Sequence, residues 1–158
     1  AITIRRKLIP ETENNSYIAM SLFDYQWIDT IKKDGRPVLI IIEGVLMYFE
    51  ENKVKELMNE LCKRFDKATV LTDILAFVAL KHAKQHDAVG KTSHKAEFLW
   101  SVLYTEEMEK WNDRLHLTRE YFMSDYDHGR YPWLLRMIYK IPYCYRRFNQ
   151  RVARLDIY

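Results

Sequence analysis

The stretch RPVLIIIEGVLMYF, Arg36 to Phe49, drives an aliphatic run straight into a carboxylate, Glu43, and then a glycine, Gly44. A carboxylate at the end of so apolar a segment is poorly hydrated and needs a partner: a cation, a hydrogen-bond donor, or a ligand's hydroxyls or amines. Glycine at that point lets the backbone turn tightly or come close to a ligand. Two readings of Glu43 are open from spacing alone, a ligand contact and a capping or salt-bridged structural role. Other residues of chemical interest are less pointed. His82 and His86 stand four apart, a spacing that can bind metal on one helix face, yet there is no HEXXH and no third ligand is evident. His116 falls in a predicted strand and His128 in the loop DYDHGRY, and no histidine sits in a recognisable triad. Arg146, Arg147, Arg151 and Arg154 concentrate positive charge, either as a solvated helix face or as an anion-binding surface.

These residues are carried by an alternation of strand and helix. SYIAMSLFD (Ser16 to Asp24) reads as a short strand ending at a polar corner, and YQWIDTIKK follows with Trp27, Ile28 and Ile31 at helical spacing. KDGRP is a turn, and VLIII is an uninterrupted apolar run suited to a strand buried on both faces, as in a parallel sheet. From Glu50 to Phe65, Val54, Leu57, Met58, Leu61, Cys62 and Phe65 fall on one helical stripe, with acidic residues at its start. KATVLTDIL is a second β-branched strand, AFVALKHAKQH continues as helix, and TEEMEKWNDRL is a short helix. LHLTREYFM alternates as a strand, YPWLLRMIYKI is helical with Pro132 in its first turn, Pro142 interrupts it, and RVARLDIY is a final strand. Strand, helix, strand, helix predicts an α/β sheet layered by helices, and open parallel sheets bind ligands beyond the carboxyl ends of their strands. Glu43 and Gly44 are delivered to such a crevice.

Composition bounds the rest. At 158 residues and 48% hydrophobic, with four glycines, the chain predicts one ordered globular domain. No apolar run approaches the roughly 20 residues that span a bilayer, so no membrane partner is expected. The segment AITIRRKLIPETENN has no signal-peptide core, and the first residue, Ala1, fits a processed chain or a piece of a longer one. Two cysteines, Cys62 and Cys144, without CxxC spacing, fit a reducing cytoplasm. A net charge of +3 is too small to imply nucleic acid.

The block PVLIIIEGVLMYFEENKVKELMNEL resembles the signature of the leucine carboxyl methyltransferase superfamily, in particular its tetracenomycin-type polyketide O-methyltransferase branch. That signature is an aliphatic strand, then E-G/C-V-L-x-Y, then an amphipathic helix opening on acidic residues. YIAMSLFDYQWID resembles the family's strand, polar corner and tryptophan-containing helix, and EFLWSVLYTEEMEKW its F-x-W segment and following helix. The resemblance covers nearly the whole chain. It implies a Rossmann-like class I methyltransferase sheet with helices on both faces and S-adenosyl-L-methionine (SAM) as cofactor. It also implies that these residues, 1–158, form the C-terminal part of a single domain lacking its N-terminal strands. Family members carry a Gly-rich loop ahead of this region, and here the glycines, Gly35, Gly44, Gly90 and Gly129, are all isolated.

By the resemblance, Ser21 and Leu22 match the corner that holds the adenine, with serine where many relatives have aspartate. Asp24, two residues on, could partly substitute, or cap the Trp27 helix. Glu43 matches the family's cofactor-contacting glutamate, next to Gly44. Tyr48 matches a tyrosine near the acceptor pocket, and Phe98 and Trp100 line the acceptor cavity or pack as aromatic core. The implied chemistry is an in-line methyl transfer to an oxygen of a small-molecule carboxylate or phenol. A carboxylate is already ionised at neutral pH and needs no general base, whereas a phenol, with a pKa of about 10, needs help. Catalysis then comes from placing the oxygen about 3 Å from the methyl carbon. Three functions stand beside one another: a SAM-dependent O-methyltransferase, a non-catalytic remnant of that fold serving in binding or assembly, and an unrelated flavodoxin-like or Rossmann-like ligand binder. With the first strands missing, the exposed sheet edge also predicts self-association.

Overall fold

A computed structural model describes residues 2–31, 35–82, 97–126 and 128–158. The chain divides into two compact units, Ala1–Gly35 and Arg36–Tyr158.

In the first unit, helix α1 (Ile2–Leu8) has no buried residue. The turn after it is stitched by Tyr17, whose N–H donates to Glu11 Oε1 at 2.7 Å and whose hydroxyl donates to the Ile9 carbonyl at 3.0 Å. Ser16–Asp24, predicted as a strand, joins no ladder; only Thr12 and Asn15 form an isolated bridge nearby. Strands exist by pairing, and no described strand pairs with this segment, so its β-branched and aromatic composition alone does not make it one. Helix α2 (Gln26–Asp29) is a single turn, shorter than the helical spacing of Trp27, Ile28 and Ile31 predicts.

The second unit is a four-stranded sheet in the order β1-β2-β4-β3, with β1 Val38–Ile42, β2 Ala68–Ile74, β3 Leu115–Phe122 and β4 Arg151–Ile157. β1 and β2 are parallel, joined through α3 (Glu51–Arg64), as a parallel pair requires. β4 runs antiparallel to both β2 and β3, so the sheet is mixed. The register Ile40↔Val70↔Leu155 puts alternate residues of three strands on one face. That face supplies Val70, Ile74, Ala153, Leu155 and Ile157, all buried, and α3 buries Val54, Leu57, Met58, Leu61 and Cys62. Arg114 closes the far end of α3 by donating to the Cys62, Phe65 and Asp66 carbonyls, satisfying acceptors that a helix C-terminus leaves open.

The opposite face is open. Leu39 and Ile41 are 58% and 66% exposed, so VLIII is not buried on both faces. The reason is positional: among the described strands β1 lies at the edge of the sheet, where residues 39 and 41 pair with Thr69 and Leu71 of β2 on one side. Here a groove of about 630 Å³ is lined by Leu39, Leu71, Tyr121, Met123, Tyr126 and Val152, among others.

Two short helices complete the unit, α5 (Trp133–Tyr139) and α6 (Pro142–Phe148), after a one-turn α4 (Ala79–His82) earlier in the chain. Pro142 does end α5, but it also opens α6, where its missing N–H costs nothing. No helix among the described residues is long and apolar enough to cross a membrane.

Candidate functional site

Parallel strand β1 ends at Ile42, level with Thr72, and β2 runs two residues further to Ile74, where β4 begins because Ile74 pairs with Arg151. Phe122, the end of β3, pairs with Arg151 as well, so this rim collects Glu43, Gly44, Leu75, Met123 and Ser124. Gly44 has φ +66°, the left-handed region that glycine adopts freely, and a Cβ built there meets nothing within 4 Å. The turn is therefore open on its outer side. Its N–H donates to Asp73 Oδ1 at 2.9 Å. Glu43 is exposed, and no hydrogen bond or ion pair to a described residue holds its carboxylate. Among the described residues, then, neither a salt bridge nor a cap engages the Glu43 carboxylate.

Beyond Gly44 a short 3₁₀ turn, Leu46–Tyr48, buries Leu46 and Met47 and leaves Tyr48 40% exposed. The Met47 carbonyl accepts both the Leu99 and Trp100 N–H groups, at 2.8 and 3.2 Å, which lays the segment after Glu97 along the rim. Ser101 continues it by donating to the Leu75 carbonyl at 2.6 Å. This crossing brings Phe98 against Tyr48, ring centroids 5.6 Å apart. Trp100 points the other way: it is 3% exposed and packs on Trp111 at 6.2 Å. Tyr48 and Phe98 thus share the rim with Glu43, while Trp100 belongs to the core beneath it.

In the first unit, the corner expected to hold adenine is a locally hydrogen-bonded turn. Ser21 Oγ accepts the Phe23 N–H at 3.3 Å, the Trp27 indole donates to the Leu22 carbonyl at 2.9 Å, and Asp24 Oδ1 accepts the Gln26 N–H at 3.4 Å at the entrance to α2. Such short-range side-chain contacts are the usual work of Ser and Asp at helix starts. Ser21 and Asp24 remain exposed.

The rim also carries residues the sequence did not single out. Asp73 is the one acid in the strand ATVLTDI, an interruption that could have drawn attention to it. A second groove of about 630 Å³ lies between α5, α6 and the end of β3, lined by Ser124, Asp125, Trp133, Arg136, Lys140 and Tyr145, among others. Tyr145 donates its hydroxyl to both Asp125 oxygens, at 2.7 and 2.9 Å. Burial and this hydrogen bond to a carboxylate push the Tyr145 phenol well above its ordinary range, so it stays protonated.

The arginines form no single basic surface. Arg151 is fully buried, its Nε 2.7 Å from Glu120 Oε1 and its Nη2 donating to the Val102 carbonyl at 2.5 Å. Arg146 bridges Glu106 and Glu120, both at 3.2 Å. Arg147 stacks on Tyr143, 3.8 Å from the ring centroid, and Arg154 pairs with Asp156 at 3.1 Å on the other face of the sheet. Strand alternation separates Arg151 from Arg154, which a count of arginines does not convey. Of the His82–His86 pair, His86 lies outside the described residues. Among the described residues no group of three or more metal-ligating side chains converges.

No family model matches the chain. It is similar, at 25% identity over 124 residues, to the tetracenomycin polyketide synthesis O-methyltransferase TcmP of Streptomyces glaucescens. The match takes in 78% of this chain and 45% of that protein, so the chain spans less than half the length of the curated relative it matches. The relationship to a methyltransferase is distant, and the mixed α/β sheet is compatible with a methyltransferase-like fold.

Proposed function

We propose that this chain is the C-terminal part of a SAM-dependent O-methyltransferase acting on a carboxylate, or a hydroxyl, of a small and polyketide-like molecule. The observation that carries the reading is Glu43: an exposed carboxylate without a partner among the described residues, set by a left-handed glycine at the carboxyl end of a parallel strand pair. That is where ligands bind in open α/β sheets. The similarity to an O-methyltransferase supports the same reading.

The residues present suit the cofactor. A carboxylate unpaired among the described residues complements its ammonium group, and the open outer side of Gly44 leaves room for close approach. Ser21, Leu22 and Asp24 are assigned to the adenine end on the resemblance of their corner. When bound, SAM supplies a methyl group on a positively charged sulfur. Tyr48 and Phe98 give the rim an apolar aromatic wall that excludes water from an acceptor. A carboxylate acceptor asks for no proton transfer, and no described histidine needs to serve as base. Cys62 and Cys144 are free thiols, which agrees with a cytoplasmic setting.

The test is calorimetric titration of the full-length gene product with SAM, alongside transfer of labelled methyl from SAM to a panel of aromatic and aliphatic carboxylic acids. Glu43→Ala should weaken SAM binding by roughly tenfold to a hundredfold, the loss expected from about 1.5–3 kcal/mol for a charged hydrogen bond. Affinity retained per folded molecule, with only thermal stability lost, makes Glu43 structural. A second reading, a non-catalytic remnant of the fold serving in binding or assembly, is favoured by the isolation of all four glycines in these 158 residues. It prevails if the full-length protein binds no SAM.

A further inference from the structure

Asp73 is the next-to-last residue of an otherwise uncharged strand and reaches across to the turn that follows β1. Its Oδ1 accepts the Gly44 N–H at 2.9 Å, a contact spanning 29 residues of sequence, and its Oδ2 lies 3.5 Å from Gln150 Nε2 just before β4. Three chain segments at the rim therefore meet at one carboxylate. Gly44 is the residue immediately after Glu43, and with φ +66° it is the point where the chain turns off β1. No bond to a described residue fixes the Glu43 side chain, so the direction of its carboxylate depends on the backbone that carries it.

We infer that Asp73 is a positioning residue for Glu43: by holding the Gly44 N–H it sets the turn from which the Glu43 carboxylate meets the cofactor. The inference rests on the reading of Glu43 as a cofactor contact. A carboxylate accepting a backbone N–H makes a stronger and more directional bond than a neutral acceptor would. Gly44 itself is exposed, so water can replace Asp73 at that N–H without leaving a buried donor unsatisfied. Loss of Asp73 thus frees the turn rather than unfolding the sheet. Glycine, which has the widest range of backbone conformations, is where such freedom is greatest. A contact displaced by about an ångström can lose most of its worth.

The experiment measures SAM affinity in the full-length gene product by calorimetry, with melting temperatures recorded for every variant. Asp73→Ala should weaken SAM binding about tenfold. Asp73→Asn keeps an oxygen for the Gly44 N–H and should stay within about threefold of the unsubstituted protein. In a Glu43→Ala background, Asp73→Ala should add less than about a twofold loss, because two residues that act through one contact are not additive. A purely structural Asp73 would instead lower the melting temperature and cost the same in both backgrounds. Unchanged affinity in Asp73→Ala, or an additive loss, overturns the inference and leaves the methyltransferase reading standing. Absence of SAM binding in the unsubstituted protein removes both. Should Asp73→Ala not fold, Asp73→Glu, which displaces the carboxylate by one methylene, takes its place with the same tenfold expectation.

Discussion

Replacing Glu120 by glutamine should expose how much of this fold hangs on one buried charge. Arg151 is fully buried, and among the described residues the acidic side chain paired with its guanidinium is Glu120, 2.7 Å from Nε. Glu120 Oε1 also accepts the Thr105 hydroxyl at 2.6 Å, and Oε2 receives Arg146 at 3.2 Å. Burial lowers the Arg151 pKa and Glu120 works against that, so without the carboxylate an unbalanced cation remains in the core. Removing one partner of a buried pair costs about 3–5 kcal/mol. Three neutral acceptors survive, Thr105 Oγ1 at 2.9 Å and the Val102 and Leu103 carbonyls at 2.5 and 3.3 Å, which argues for the lower end, about 3 kcal/mol. At roughly 2–4 °C per kcal/mol for a chain of this length, the melting temperature should fall about 6–12 °C. Thermal denaturation followed by circular dichroism reads this directly. Glu106→Gln is the control: its carboxylate touches Arg146 with a half-exposed side chain, and such a pair contributes under about 1 kcal/mol. A Glu120→Gln shift below about 2 °C, or equal shifts in the two variants, would refute the reasoning. Glu120→Leu combined with Arg151→Met removes both charges and should recover part of the loss, since apolar replacements of whole buried pairs are tolerated.

Two further outcomes follow from the open side of the sheet. Burial raises the Asp156 pKa, but hydrogen bonds from Thr118, Thr69 and Arg154 outweigh it, leaving the carboxyl below its ordinary value. Its stabilising contribution is therefore present above about pH 4–5 and lost as pH falls through the lower folded value, so urea melts of Asp156→Asn and the parent should differ at pH 7 and converge in acid. The exposed Leu39 and Ile41, on an edge strand, predict that the 158-residue chain alone self-associates, and size-exclusion chromatography with light scattering would contradict this by showing a monomer with a cooperative melt.

Legibility varied with the range of the interactions involved. α3 was plain because its stripe of Val54, Leu57, Met58, Leu61 and Cys62 is a local pattern, and all five are buried. β2, β3 and β4 were plain because β-branched alternation coincides with actual pairing partners. Ser16–Asp24 misled because the same composition has no described partner, and pairing is not written in a segment's own residues. The antiparallel insertion of β4 between β2 and β3 was equally invisible, being a matter of topology. At the site, Glu43 and Gly44 stood out as a break in an apolar run. Asp73 did not, because its significance lies in a bond to Gly44 across 29 residues. Arg151 reads in sequence as one of a cluster of arginines on a solvated or anion-binding face, and its register opposite Ile74 places it toward the core.

The position of β4 bears on how the chain is made. It is the last of the four strands to leave the ribosome, yet it lies in the interior of the sheet, between β2 and β3. Until residues 151–157 emerge, β1–β2 and β3 are separate pieces, each with an unpaired inward edge, and the apolar face of α3 has only part of its eventual partner. Such edges are templates for mispairing with other nascent chains. Residues 151–157 join the two pieces at once, by non-local pairings whose loop-closure cost must be met before they form.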